Sequence, residues 1–124
     1  YWFNVPLGRS QIHLSLTFNT YDKKVGIRVY IRRRVADFVL NYLEQSRAQI
    51  EQEIGQPLLW NANPDSEDKI IALYRDADPD DQISWPKYCD WLVDMTEKFI
   101  NAFRPRIRNL DLTPDTVEPV EPSA

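Results

Sequence analysis

Gln11–Arg32 reads QIHLSLTFNTYDKKVGIRVYIR, and two alternating halves of this stretch decide the fold. From Gln11 to Asn19 the apolar residues Ile12, Leu14, Leu16 and Phe18 point one way, and His13, Ser15 and Thr17 the other. That period of two is a half-buried strand. Lys24 to Arg32 repeats it, with Val25, Ile27, Val29 and Ile31 on one face and Gly26, Arg28, Tyr30 and Arg32 opposite. Pairing Asn19 with Lys24 sets Phe18 against Val25, Leu16 against Ile27 and Leu14 against Val29. One register satisfies both apolar faces, and a slip by one residue ruins it. The two runs form a hairpin.

Downstream, Val35 to Ile54 carries Val35, Phe38, Val39, Tyr42, Leu43, Ile50 and Ile54 as a helical stripe. Gly55 and Pro57 end it, because glycine accepts the left-handed cap and proline cannot extend the ladder. Leu58-Leu59-Trp60 reads as a short third strand, Asn61–Asp68 as turn chemistry, and Lys69–Arg75 as a fourth strand. After an acidic loop, Asp76–Gln82, a last helix begins near Ser84 with Pro86 in its first turn. Tyr88, Leu92, Met95, Phe99 and Phe103 recur at helical spacing, and Pro105 is expected to end or kink that helix. The order β-β-α-β-β-α predicts an α+β two-layer sandwich: a four-stranded, mainly antiparallel sheet with two helices on one face. The other face then meets solvent or a partner.

Residues 1–110 make one domain, and 111–124, with three prolines and four acids but no base, is expected to be a disordered tail. Removing those four acids leaves 15 acids balanced by 15 bases, so the net charge of −4 belongs to the tail. The remaining charge is polarised. Lys23 to Arg34 holds six bases and no acid, whereas Asp65 to Asp81 holds seven acids and two bases. A neutral body does not require nucleic-acid binding. No apolar run approaches the ~20 residues of a membrane helix, and Tyr1-Trp2-Phe3-Asn4 lacks a signal-peptide pattern. The single Cys89 cannot close an internal disulfide, which favours a reducing, cytoplasmic setting. The start without methionine suggests a domain excised from a longer chain.

Three stretches, LGRSQIHLSLTF (Leu7–Phe18), IEQEIGQPLLW (Ile50–Trp60) and WLVDMTEKFINAFRPRIRNL (Trp91–Leu110), resemble a bacterial domain-of-unknown-function family over residues 5–110. Its most telling parts are Gly8-Arg9-Ser10 leading into the first strand and the helix-to-strand passage ending in Trp60. Members of that family usually follow a restriction-endonuclease-like half. The resemblance implies a modular protein tied to DNA handling or defence against phage, and it brings no catalytic residues with it.

Motifs that suggest chemistry have simpler readings. Pro64-Asp65 with Glu67-Asp68-Lys69 superficially spells a restriction-nuclease site, but such sites place the Asp and the Glu-x-Lys on neighbouring strands around Mg²⁺. Here one residue separates the carboxylates, and a turn is expected. Asp76, Asp78 and Asp80 open like a calcium loop, yet Asp81 and Lys87 stand where glycine and glutamate are needed. His13 is expected to pack across the strands on Tyr30, and Cys89 to be a structural thiol. No catalytic residue, metal ligand or cofactor follows from the sequence. The binding candidates are Arg28, Tyr30, Arg32 and His13 on the outward hairpin face, where arginines surround an aromatic; the plainer reading of that face is that its charges keep an exposed sheet soluble and discourage pairing. The favoured function is a non-catalytic accessory module contacting its own nuclease-like domain or another protein subunit. A nucleic-acid contact through the same face is the alternative, and a stand-alone enzyme the second. The sequence sets no oligomeric state.

Overall fold

The structure is a computed structural model, and it describes residues 2–112. Four strands, β1 (Trp2–Arg9), β2 (Ile12–Asn19), β3 (Lys24–Ile31) and β4 (Lys69–Asp76), form one antiparallel sheet in the order β1-β2-β3-β4. Helices α1 (Arg33–Glu44), α2 (Arg47–Ile54) and α3 (Trp85–Arg108) complete the α+β fold, with a short 3-10 turn over Gln82–Ser84 before α3. The β2–β3 hairpin has the register read from the alternation: Phe18 faces Val25, Leu16 faces Ile27 and Leu14 faces Val29. The core lies between the sheet and the helices. Ile12, Leu14, Ile27, Val29 and Ile31 from the strands meet Val39 and Leu43 of α1, Ile50 and Ile54 of α2, and Phe99, Phe103 and Ile107 of α3.

Four expectations need correction. The sheet has a further strand, β1, whose Pro6 and Gly8 are residue types that argue against a strand. Proline is tolerated there because β1 lies at the sheet's edge. Gly8-Arg9-Ser10 therefore leads into the second strand. Leu58-Leu59-Trp60 is not a full strand. Leu59 makes one antiparallel bridge with Ala72, at 2.8 and 2.9 Å, and Ala62 N–H donates to Ile70 at 2.8 Å. The segment lies along the outer edge of β4.

The helix expected over 35–54 is two helices, so there are three α-helices among the described residues. The chain breaks at Gln45-Ser46, where Ser46 N–H turns back to the Leu43 carbonyl. No glycine or proline marks that break. The signal was the six-residue interval Glu44–Gln49, in which Ser46 and Arg47 stand three and four residues after Leu43 where a continuous apolar stripe would place a large apolar residue. Gly55, at φ 82°, then caps α2 as expected.

Pro105 does not end α3, which continues to Arg108. The missing N–H deprives only the carbonyl of exposed Asn101, which water can serve. Phe103 and Ile107, both fully buried, hold the turns on either side of the proline against the core. At the far end Leu110 is buried and Leu112 packs partly against the core. The tail from residue 113 onward lies outside the described residues.

Candidate interaction surfaces

The face of the sheet away from the helices carries the four sequence candidates. Cross-strand pairing sets His13 opposite Tyr30 and Ser15 opposite Arg28, and the His13 and Tyr30 rings stack with centroids 5.1 Å apart. Burial and the positive charges of Arg32 and Arg28 hold the His13 pKa below its ordinary value, so the imidazole is neutral at pH 7. The Tyr30 hydroxyl donates to Asp68 Oδ2, and that bond, with burial, raises the phenol's pKa. Arg28 Nη2 donates to Ser15 Oγ at 3.1 Å, and its Nε is buried without a hydrogen-bond partner. Arg32 is exposed just before α1. The structure thus gathers all four residues, but three of them are engaged with their neighbours.

The nuclease-like motif is a turn, as its spacing indicated. Asp65 and Glu67 line a polar hollow of about 320 Å³ with Arg33, Asp37, Ser66 and Lys69. Glu67 Oε2 pairs with Arg33 Nη1 at 2.9 Å. Asp68 turns the other way, and its Oδ1 accepts from Arg33 N–H at 2.7 Å. The three aspartates at the end of β4 also diverge: Asp76 pairs with Lys24 at 2.8 Å, while Asp78 Oδ1 accepts from the Asp80 N–H. Among the described residues no three His, Cys, Asp or Glu side chains gather to hold a metal ion, and no helix is long and apolar enough to cross a membrane.

A second surface escaped the sequence reading. An apolar groove of about 480 Å³ opens between the start of β1, the end of β2 and the first turns of α3. Phe3, Leu16 and Phe18 form its sheet wall; Trp85, Cys89 and Leu92 form its helix wall, with Pro79 at the rim. Phe18 stacks on Trp85 at 5.9 Å, and Trp85 Nε1 donates to the Pro79 carbonyl at 3.0 Å, which holds the rim in place. Large apolar groups nonetheless meet solvent here: Phe3 is 61% exposed and Trp85 45%. Cys89, expected to be structural, is exposed in this groove. Two signals could have found the surface. Phe3 shares strand parity with Val5 and Leu7, and Trp85 sits one turn ahead of the core stripe of α3.

The fold and its surfaces define a small α+β domain whose open features are an apolar groove and a partly neutralised sheet face. The sequence model of a domain of unknown function (DUF4268) matches residues 1–107, and the chain belongs to that family. No curated protein and no solved structure matches it.

Proposed function

We propose that this domain is a non-catalytic accessory module that docks on another protein, in the setting its sequence resemblance implies: a nuclease-like companion domain or another subunit. The observation that carries this reading is the solvent-open apolar groove with Phe3 and Trp85 exposed in its walls. Large exposed aromatics in a recess are the anchors of protein interfaces and add nothing to solubility. The docking surface thereby moves from the hairpin face favoured by the sequence to the groove. The alternative, nucleic-acid contact, rests on exposed Arg32 beside Arg28 and Tyr30. It is weakened by the ties that hold Tyr30 to Asp68 and His13, which occupy its hydroxyl and one ring face.

Titration calorimetry distinguishes the two at about 0.15 M salt. The chain should bind a restriction-endonuclease-like domain from a longer protein that also carries this family, and should show no saturable binding to short DNA or RNA. Should nucleic acid bind instead, changing Arg28 and Arg32 together to Ala would flatten the log-affinity against log-salt slope by about two units. That outcome would replace the docking reading.

A further inference from the structure

The sheet has two edges, and they are treated differently. Along β4 the chain lays its own Leu59–Ala62 segment, bonded to Ala72 and Ile70. Along β1, Arg104 Nη2 donates to the Pro6 carbonyl at 2.8 Å, so the backbone of Pro6 faces the open edge. In an antiparallel ladder every second residue faces the same way, so Trp2 and Asn4 also turn their N–H and C=O groups outward. Pro6 offers no N–H, and Arg104 occupies its carbonyl: the edge is blocked there. The first half of β1, Trp-Phe-Asn-Val, has neither charge nor proline, the devices that normally protect an edge strand. This unblocked half-edge lies directly beside the apolar groove, of which Phe3 is a wall. At the groove's rim Asp78 and exposed Asp80 flank Pro79, while Asp76 is paired with Lys24, Asp81 accepts from Ser84, and Arg75 lies over the ring of Tyr88 on the helix wall.

We propose that an extended segment of a partner protein adds to the sheet as a short strand along Trp2–Val5, seats an apolar side chain beside Phe3 and α3, and places a lysine or arginine near Asp78 and Asp80. The proposal rests on the protein-docking reading and gives it a place and a chemistry. Backbone pairing at the edge supplies affinity, the groove selects the alternate apolar residue, and Asp78 and Asp80 select the basic flank. Pairing stops at Pro6, so the added strand is short.

The test is a random-peptide display selection on the full chain, followed by anisotropy titrations with the enriched peptide made synthetically. Enriched sequences should alternate apolar residues and carry Lys or Arg at one end. Asn4→Pro removes an outward N–H without touching the bonds to β2, and it should weaken binding tenfold or more. Trp85→Ala should do the same, and Asp80→Lys should weaken binding several-fold and reduce its salt dependence. Cys89→Arg fills the groove from an exposed position and replaces Asn4→Pro if that variant does not fold. Glu44→Gln, at the exposed end of α1 and away from the groove, should leave affinity unchanged. An enriched peptide that binds wild type and Asn4→Pro equally overturns strand addition, as does a selection that enriches nothing. A concentration-dependent dimer in sedimentation, dissolved by Trp85→Ala, overturns the proposal by assigning the groove to a second copy. If a nuclease-like domain binds wild type, Asn4→Pro and Trp85→Ala alike, this inference falls while protein docking stands.

Discussion

The Asp68 carboxylate accepts hydrogen bonds from two different elements, the Tyr30 hydroxyl on β3 and the Arg33 N–H that begins α1. Helix α1 has no side-chain cap of its own, since Arg32 at its N-cap bonds nothing there. A residue 35 positions away supplies the acceptor that a local Ser or Asp usually would. Asp68→Ala should therefore destabilise the fold by about 1–3 kcal/mol, because it leaves both a phenol and a helix N–H unpaired. Tyr30→Phe removes one bond and keeps the cap, so it should cost less, about 1 kcal/mol. Urea denaturation of the two variants checks the order. Equal losses would mean that the cap contributes nothing.

Among the elements, β3 depends on a close approach. A Cβ built on Gly26 would lie 2.5 and 2.7 Å from ring carbons of Tyr74, its partner across β3 and β4. The tyrosine ring covers the bare glycine, a pairing that compensates a glycine in a strand. Gly26→Ala should be destabilising in the wild type because the ring must swing aside. In a background of Tyr74→Ala with Thr17→Ala, which also removes the Thr17 hydroxyl 3.1 Å from that Cβ, the same change should instead stabilise by about 0.5–1 kcal/mol, the ordinary advantage of alanine over glycine in a strand. A mutant cycle of unfolding free energies reads this change of sign directly. The same register argument places Leu14, fully buried, against the helices. The hairpin was legible because its alternation and its register agreed, whereas β1, with Phe3, Val5 and Leu7 on one parity, also carries a proline and a glycine that argue against a strand, and its register with β2 shifts between Pro6 and Arg9.

In the whole molecule the polarised charge of the sequence becomes pairing. The basic run of Lys23 to Arg34 and the acidic run of Asp65 to Asp81 fold beside each other: Lys24 of β3 meets Asp76 of β4, and Arg33 at the start of α1 meets Glu67 in the turn before β4. Other carboxylates tie layers together. Glu51 is held below its ordinary pKa of 4.5 first by the Leu58 N–H, and Glu53 by Arg106 of α3 at 2.8 and 3.0 Å. Groups with lowered folded pKa values contribute stability that is complete above the unfolded pKa and lost as pH falls through the folded one. His13, lowered from 6.5 chiefly by burial, follows the same sign when it gains a proton. Denaturation midpoints should thus decline gently as pH falls below 6.5 and more steeply below 4.5. His13→Asn should remove the first decline alone, and Glu53→Gln should reduce the second. A profile flat down to pH 4 would contradict both assignments.

By itself the sequence determined the β2–β3 hairpin, its register, the core face of the second half of α3 (Met95, Phe99 and Phe103) and the turn at Asn61–Asp68, because each follows from spacing within one segment. It also placed His13 on Tyr30, since a register fixes which residues face each other across a ladder. Tertiary structure decided what depends on segments distant in the chain. The Asp68 cap, the edge position that makes Pro6 tolerable and the packing that carries α3 past Pro105 all join residues far apart in sequence. The groove belongs to the same group: Phe3, Phe18 and Trp85 are unremarkable apart and form a surface only when sheet and helix meet. Local periodicity records how a segment buries its own face, but it holds no record of which faces, once assembled, are left uncovered.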